Sequence, residues 1–271
     1  MPQGVAWTPV RVALDRLRNG LVPITQTENV PLSEALGRVA AAPAHASRAH
    51  PPFANAAVDG YGFAHAGLAD APAGLPLLSG RAAAGGAYEG HVPAGHAIRI
   101  LTGAPIPEGV DTIVLEEDTK VADGAVHFET GLKRGANCRP AGEDVADGAP
   151  IIAAGRRLTP GDLALAASVG LGTLCTYRPL RVGVLSTGSE LTEPGNPARP
   201  DQIYDANRPM LLSLAMAWGF LPVDLGRVED NRAAVRGALD NAAANVDVIL
   251  TSGGASAGDE DHMSAVLKEA G

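Results

Sequence analysis

Three short segments in the second half of the chain combine glycine or hydroxyl residues with acidic side chains. They span residues 186–190, 226–230 and 251–261, and each ends or follows an apolar run that is typical of a buried strand. Glycine and small hydroxyl residues let backbone amides approach an anion closely, whereas carboxylates repel that anion unless a divalent cation lies between them. The combination therefore predicts a phosphate-bearing ligand held together with Mg²⁺.

The acidic candidates in these segments are Glu190, Asp230 and Asp261. The candidates for holding a ligand through backbone or hydroxyl groups are Ser186, Thr187, Gly188, Ser252, Gly253, Gly254, Ser256 and Gly258. Each segment alone also has an ordinary explanation, because Gly253 and Gly254 suit a tight turn and Asp261 suits a helix cap. The three segments together favour a ligand site. Their glycine spacing matches neither the dinucleotide-binding fingerprint nor the P-loop with its lysine.

Three polar positions in the first half of the chain are further candidates. Asp59 lies in a turn of small residues, Thr102 follows a predicted strand, and Asp144 belongs to a compact polar turn with Arg139 and Glu143. Asp-Gly and Gly-Ala-Pro are also common turn sequences. The residue types alone therefore leave both turn formation and chemistry open at these positions.

The sequence after Arg178 predicts the scaffold that would bring the acidic segments together. Apolar strand runs at 181–188, 221–228 and 246–254 alternate with helical patterns at 207–219, 231–245 and 262–271. Strands joined by single helices form right-handed parallel crossovers, which predicts a doubly wound α/β sheet. Because ligands bind beyond the carboxyl ends of such strands, Glu190, Asp230 and Asp261 are expected on one rim.

The fold class predicted for the whole chain is a multidomain α/β protein. The predicted domains are a helical and extended N-terminal domain at 1–45 and 143–178, a β-rich inserted domain at 46–142, and the α/β domain at 179–271. A first helix is expected after a Thr8 cap and before Gly20, a second from Leu32 to Val39, and a third from Thr159 to Val169.

The composition limits the possible classes of function. The 271 residues include 30 acidic and 21 basic side chains, a net charge of −9, and 4% aromatic residues. This balance repels phosphate backbones and supplies few stacking side chains, which argues against a nucleic-acid binder. A hydrophobic content of 46% predicts globular domains rather than disorder. The first residues do not form a basic segment followed by an apolar run, so a cytoplasmic location is expected.

Cysteine and histidine give little support to a second kind of site. Two cysteines, Cys138 and Cys175, are too few for a disulfide framework or a thiolate zinc site, and we expect both to pack as apolar groups. The seven histidines are scattered without a close helical pair. His262 follows Asp261 directly and is the histidine expected near the ligand site.

Several motifs together resemble the molybdopterin molybdenumtransferase family, the molybdenum insertases that include the gephyrin E domain. The matching segments follow the family's order and are 51–53, 58–61, 101–105, 107–109, 142–144, 186–191, 203–208 and 251–258, with Asp261 after them. They extend across nearly the whole chain, and several are uncommon. The resemblance implies an enzyme that inserts molybdate into the dithiolene of adenylylated molybdopterin and releases AMP.

The resemblance also implies roles for individual residues. The implied catalytic residues are Asp59, Thr102, Asp144, Glu190, Asp230 and Asp261. Asp59 and Thr102 would form one wall of a cleft, and the other four would form the opposite wall, where Glu190 and Asp261 would bind Mg²⁺. Asp59 is the residue expected to take part in the chemical step, and Asp205 and Asn207 join the residues that would hold the ligand.

The resemblance further implies a homodimer whose cleft lies between the β-rich domain of one subunit and the α/β domain of the other. The upstream molybdopterin adenylyltransferase is an additional expected partner. Family members continue with a Pro-Gly-Lys-Pro loop, a Gly-Pro-Asn-Pro loop and a C-terminal β domain, and this sequence does not contain them. We therefore expect the sheet to be incomplete and the 271-residue chain alone to be weakly active or inactive.

Two other functions are compatible with parts of the sequence. The α/β segment also fits a molybdopterin adenylyltransferase type of activity, although that family lacks the domains that carry Asp59 and Thr102. A non-catalytic scaffold or binding module would need an exposed apolar patch, and the sequence does not single one out.

Overall fold

The computed structural model describes residues 8–70, 74–129, 131–253 and 262–270. Its α-helices in these residues are α1 (Val10–Gly20), α2 (Pro160–Ser168), α3 (Asn207–Ala217), α4 (Arg232–Ala243) and α5 (His262–Ala270). Its strands are β1 (Thr27–Pro31), β2 (Ala44–His45), β3 (Asn55–Ala56), β4 (Gly60–Phe63), β5 (Leu75–Ala82), β6 (Ala97–Ile100), β7 (Thr112–Leu115), β8 (Thr119–Ala122), β9 (Ala125–Phe128), β10 (Cys138–Arg139), β11 (Pro150–Ile152), β12 (Thr173–Tyr177), β13 (Arg181–Thr187), β14 (Leu191–Thr192), β15 (Ile203–Tyr204), β16 (Leu221–Val228) and β17 (Val248–Ser252).

The predicted parallel α/β sheet is present after Arg178. Three described strands lie in the order β16-β13-β17, and β13 pairs in parallel with both neighbours. Almost all of β13 is buried, as expected for a strand with neighbours on both sides and helices against the sheet. Leu185 of β13 shares a hydrophobic cluster with Val235 of α4 and Met263 of α5. The parallel arrangement brings the carboxyl ends of the three strands to one edge.

A β-bulge interrupts strand β16 near this edge. Val184 pairs with Asp224, but Ser186 pairs with Arg227, so β16 contains one more residue than β13 between these pairs. Gly226 has a φ of 76°, and its amide donates a hydrogen bond of 2.8 Å to Oδ1 of Asp224. A bulge of this kind changes the direction of the side chains that follow it.

The predicted β-rich region is also present. Six strands of the described chain form a sheet in the order β7-β4-β6-β5-β9-β8. Strand β4 runs antiparallel to both β6 and β7, so the start of β4 lies beside the ends of its two neighbours. Phe63 of β4 is fully buried and stacks on Phe128 of β9 at 5.2 Å between ring centroids. This packing buries the end of β4 in a hydrophobic cluster of the sheet.

The helix predictions have mixed outcomes. Thr159 caps α2 with a complete capping box, in which Thr159 and Asp162 exchange side-chain and backbone hydrogen bonds, so this prediction is confirmed. The Thr8 cap is wrong, because Pro9 occupies the capping position of α1 and has no side-chain oxygen. The helix from Leu32 to Val39 is also wrong. Only a 3₁₀ turn forms at Leu32–Glu34, and Gly37 with a φ of 75° breaks any continuation.

The chain divides into two compact units. One contains residues 1–29, 37–41 and 175–271, and the other contains residues 30–36 and 42–174. The second unit holds the β-rich sheet together with α2, whereas the sequence assigned these to separate domains. The three predicted domain ranges stay a prediction. None of the helices in the described residues is long and apolar enough to cross a membrane.

Candidate functional site

Asp59 and Thr102 are in direct contact in the β-rich unit. Oδ1 of Asp59 accepts two hydrogen bonds from Thr102, one from the backbone amide and one from the hydroxyl, each 2.7 Å long. The Thr102 hydroxyl and amide lower the pKa of Asp59, and the nearby charge of Arg99 acts in the same direction. Both residues are exposed. Asp59 is therefore an ionised carboxylate on an accessible surface at neutral pH.

The antiparallel pairing of β4 explains why these two residues meet. Asp59 immediately precedes β4, and Thr102 follows the end of β6, which is the neighbouring strand. The carbonyl oxygen of Asp59 accepts a hydrogen bond of 3.1 Å from the amide of Glu116, just after β7. Gly60 allows the close approach on that side, because a Cβ at residue 60 would overlap the carbonyl oxygen of Val114.

An arginine and a glutamate beside Asp59 were not predicted from the sequence. Arg99 of β6 donates a hydrogen bond of 2.5 Å to Oε2 of Glu116, and its guanidinium lies 5.1 Å from the ring centroid of Tyr61. The Arg99 bond lowers the pKa of Glu116, while the charge of Asp59 opposes that shift. The only sequence signal was the position of Arg99 inside an otherwise apolar strand. These groups surround Asp59 with one positive and one negative charge.

Asp144 lies in the same compact unit as Asp59 and not in the α/β unit. The Nη2 atom of Arg139 lies 2.8 Å from both carboxylate oxygens of Asp144, and Nε of Arg139 lies 2.5 Å from Glu143. Nε2 of His50 is 3.8 Å from Asp144. The predicted polar turn is therefore an ion-pair cluster. Its assignment to the opposite wall of a cleft stays a prediction.

The predicted loop after β13, residues 186–190, is here called the ligand loop. In the α/β unit it lies against the end of β17, where Gly253 has a φ of 105°. A Cβ at residue 253 would be only 2.6 Å from the carbonyl oxygen of Thr187, so glycine is required for this approach. Nδ2 of Asn207, in the first turn of α3, donates a hydrogen bond of 3.0 Å to Oγ of Ser252. Four predicted ligand-binding positions thus meet at one edge of the sheet.

The other side of the ligand loop contacts β16. Nη1 of Arg227 donates a hydrogen bond of 3.2 Å to the carbonyl oxygen of Gly188. Next to it is a polar cavity of about 410 Å³, which is lined by Ser189, Arg199, Gln202, Arg227, Glu229, Asp230 and Asn231. Asp230 is therefore at the carboxyl edge, as predicted, and it is exposed. Arg199 and Arg227 were not predicted, and they supply positive charge beside this carboxylate.

Glu190 is exposed, and its carboxylate lies over the backbone of Gly188, since a Cβ at residue 188 would be 2.6 Å from Oε2. It therefore lies on the predicted rim. Its partner in the metal prediction, Asp261, and the ligand-binding candidates Gly254, Ser256 and Gly258 lie outside the described residues. In the described ranges, no three His, Cys, Asp or Glu side chains are grouped closely enough to hold a metal ion. The oxygen ligands suit Mg²⁺ in type, but the described residues alone do not form a complete Mg²⁺ site.

Asp205 has a different environment from the one that a ligand-binding residue needs. Its side chain is 2% exposed and accepts hydrogen bonds of 3.2 Å from both the backbone amide and Nε of Arg208. Burial acts to raise the pKa of Asp205, but the hydrogen bonds and the charge of Arg208 lower it overall. Asp205 thus anchors the start of α3 in the described structure, and direct ligand contact by this residue stays a prediction.

Cys138 and His65 make structural contacts within the β-rich unit. Cys138 packs against a hydrophobic cluster of the β-rich sheet, and burial raises the pKa of its thiol to about 11. This agrees with the expected packing role, because a thiol with a raised pKa is a poor nucleophile at neutral pH. Nε2 of His65 lies 2.9 Å from the carbonyl oxygen of Leu132.

Comparisons with known protein families agree with this arrangement of elements. The model of the "MoeA N-terminal region (domain I and II)" matches residues 8–170, which is more than half of the chain. The chain belongs to the MoeA, or molybdopterin molybdenumtransferase, family. A second model, "Probable molybdopterin binding domain", matches residues 183–271 and therefore covers the parallel sheet and the ligand loop.

Curated relatives and solved structures give the same assignment. The chain is 39% identical over 249 residues to the molybdopterin molybdenumtransferase of Haemophilus influenzae and 33% identical over 249 residues to that of Nostoc sp.. These alignments cover 91% and 90% of this chain but only 61% and 57% of the relatives. A crystal structure of the molybdopterin biosynthesis MoeA protein from Pyrococcus horikoshii OT3 superposes with a TM-score of 0.81 at 29% identity, covering 92% of this chain and 67% of that one.

Proposed function

We propose that this chain supplies the substrate-handling part of a molybdopterin molybdenumtransferase in molybdenum cofactor biosynthesis. The proposed reaction inserts molybdate into the dithiolene of adenylylated molybdopterin, with hydrolysis of the adenylate and release of AMP. The observation that carries the proposal is the convergence of Thr187, Gly188, Ser252 and Gly253 at the carboxyl edge of the sheet. This edge is where parallel sheets bind ligands.

The proposed role of the ligand loop is to hold a phosphate group of the substrate. Gly253 packs closely against Thr187, and the residues at this edge are small. Backbone amides and hydroxyls at this edge can therefore contact an anion. Arg199 and Arg227 line the neighbouring polar cavity and reduce the repulsion that Glu229 and Asp230 would exert on that anion. Binding at this edge would orient the phosphoanhydride for cleavage.

Asp59 is proposed to act as an acceptor group in the chemical step. Its lowered pKa keeps it ionised, so it can orient a water molecule or accept a proton but is unsuited to donate one at neutral pH. Thr102 fixes one carboxylate oxygen with two hydrogen bonds. The second oxygen makes no hydrogen bond to the described residues, so it can face the substrate.

Mg²⁺, the homodimer and the adenylyltransferase partner are further parts of the proposal. When bound, Mg²⁺ would neutralise phosphate charge, and Glu190 and Asp261 are the proposed ligands. In the proposed homodimer, Asp59 and Thr102 of one subunit would face the α/β domain of the other.

The decisive experiment measures AMP release from adenylylated molybdopterin and Mg²⁺, with and without molybdate. The protein is compared with its D59N variant and with the control variant D147N, which changes another exposed carboxylate of the same unit. We expect molybdate-dependent AMP release, a decrease in kcat of about 100-fold or more in D59N, and little change in D147N.

Two outcomes would contradict this proposal. If the protein consumes ATP to adenylylate molybdopterin, its activity is that of an adenylyltransferase instead. The same substitution can be made in a full-length relative that carries these residues. If its asparagine variant releases AMP as fast as the aspartate protein, then Asp59 has no part in the chemical step.

A further inference from the structure

Arg208 is a buried arginine in the first turn of α3 that contacts three carboxylates. Only 7% of the residue is exposed. Its guanidinium binds Asp205 through Nε at 3.2 Å, Asp224 through Nη1 at 2.7 and 2.8 Å, and Glu193 through Nη2. A cation near a helix N-terminus is disfavoured by the helix dipole, so these carboxylates are needed to hold it there.

The Asp224 contact connects Arg208 to the bulge in β16. Oδ1 of Asp224 accepts a hydrogen bond from Nη1 of Arg208 and another from the amide of Gly226, each 2.8 Å long. Gly226 is the bulge residue with a positive φ. The carboxylate therefore connects the buried guanidinium to the backbone at the bulge.

The bulge in turn determines where Arg227 points. Because β16 contains one extra residue, Arg227 rather than its predecessor pairs with Ser186. From this position Arg227 donates its hydrogen bond to the carbonyl oxygen of Gly188 in the ligand loop. Hydrogen bonds therefore connect Arg208 to Asp224 and Asp224 to Gly226, and the next residue in the chain, Arg227, is bonded to Gly188.

A second connection reaches the far end of the same loop. Glu193, which binds Arg208, directly follows β14, and β14 pairs with β15. The amide of Ile203 donates a hydrogen bond of 2.8 Å to the carbonyl oxygen of Glu190. Arg208 therefore anchors the segment after Glu190 as well as strand β16, whose Arg227 binds Gly188.

We propose that Arg208 is a positioning residue for substrate binding, which fixes the ligand loop through Asp224 and Arg227. The proposal rests on the proposed function only in assigning the substrate's phosphate group to this loop. It predicts that Arg208 acts in part through Arg227. Loss of Arg208 should therefore have a smaller effect when Arg227 is already absent than when Arg227 is present.

The first test measures hydrogen–deuterium exchange of the ligand-free protein in a peptide covering residues 186–190. The variants are R208K, D224N and R227Q. The control is D247N, which breaks the Arg181–Asp247 ion pair at the opposite end of the same sheet. We expect faster exchange in the three variants and unchanged exchange in the control. R208K keeps the buried charge, so it avoids leaving three carboxylates without a cation.

The second test is a double-mutant cycle on the KM for adenylylated molybdopterin, measured in a full-length protein that carries these residues. R208K and R227Q should each raise KM by about tenfold while kcat changes less, within the roughly 100-fold that a misplacement of about 1 Å can cost. R208K should raise KM less in the R227Q protein than in the unmodified protein, because part of its effect passes through the Arg227–Gly188 hydrogen bond. D247N should lower the Tm without changing KM.

The outcomes separate this inference from the proposed function. Multiplied effects in the double variant, or equal exchange in R208K and D247N, would overturn the positioning role. Absence of AMP release from the full-length protein that carries these residues would defeat the proposed function, yet the exchange experiment would still decide whether Arg208 holds the ligand loop.

Discussion

At the residue scale, the Asp59–Thr102 contact makes a specific prediction about pH. Two hydrogen bonds from Thr102 lower the pKa of Asp59. In T102V the hydroxyl bond is lost, so the pKa of Asp59 should rise toward its ordinary value. If ionised Asp59 is needed for AMP release, the activity of T102V should be lost at a higher pH than that of the unmodified protein as the solution is acidified. The measurement is kcat/KM from about pH 4 to pH 8.

The control for this prediction is T119V. Thr119 is on the same sheet, and its hydroxyl donates to the carbonyl oxygen of Glu116 rather than to a carboxylate. The kcat/KM of T119V should fall on acidification at the same pH as that of the unmodified protein. An NMR titration of the Asp59 carboxyl group provides a readout that does not depend on activity, and an unchanged pKa in T102V would contradict the argument.

The sequence identified Asp59 and Thr102 separately but did not predict that they touch. They are 43 residues apart, and their contact depends on the pairing of β4 with β6, which local patterns do not specify. Arg208 was overlooked although a signal was available. An arginine in the first turn of an apolar helix opposes the helix dipole and therefore needs acidic partners.

At the scale of single elements, the start of β4 depends on glycine. G60A should lower the free energy of unfolding by about 2 kcal/mol or more, because the added Cβ would overlap the carbonyl oxygen of Val114 and force the strands apart. The same movement would displace Asp59, which precedes this residue. Denaturant unfolding monitored by circular dichroism measures the loss.

G86A is the matched control for this substitution. Gly86 belongs to the same unit, and a Cβ there would have no atom within 4 Å. We expect its unfolding free energy to change by less than about 0.5 kcal/mol. Equal losses in G60A and G86A would contradict the argument that the contact with Val114 determines the effect, because the entropy of the unfolded chain alone makes a Gly→Ala change stabilising.

Element prediction succeeded where local chemistry was sufficient. The helix start at Thr159 was predicted because threonine and proline are adjacent in the sequence and Gly170 follows the helix end. The Thr8 cap failed by one residue, and the helix after Leu32 failed because Gly37 adopts a left-handed conformation. The bulge of β16 was not predicted, since it depends on the register with β13.

At the scale of the whole molecule, the net charge of −9 should oppose the approach of an anionic substrate. Raising the salt concentration from about 0.01 M to about 0.1 M shortens the Debye length from about 30 Å to about 10 Å. The KM for adenylylated molybdopterin should therefore fall over this range while kcat changes little. Steady-state kinetics at constant free Mg²⁺ test this expectation, and a rising KM would mean that the local field of Arg199 and Arg227 dominates.

The fold class was predictable because strand and helix patterns alternate regularly after residue 178. The division into compact units was not predictable from the sequence pattern. Residues 1–29 and 37–41 belong with residues 175–271, although more than 130 positions separate the last two ranges. Only pairing across the chain, such as that of β1 with β12, creates this grouping.

This division determines an order of events during synthesis on the ribosome. The unit with the β-rich sheet is complete once residue 174 has emerged, whereas β17 of the parallel sheet ends only at Ser252. At about 5–20 residues per second, the interval between these two points is on the order of 10 s. Strand β1, although made first, must wait for its partner β12, which ends at Tyr177. A nascent chain therefore presents a folded β-rich unit and an incomplete parallel sheet to any chaperone that meets it.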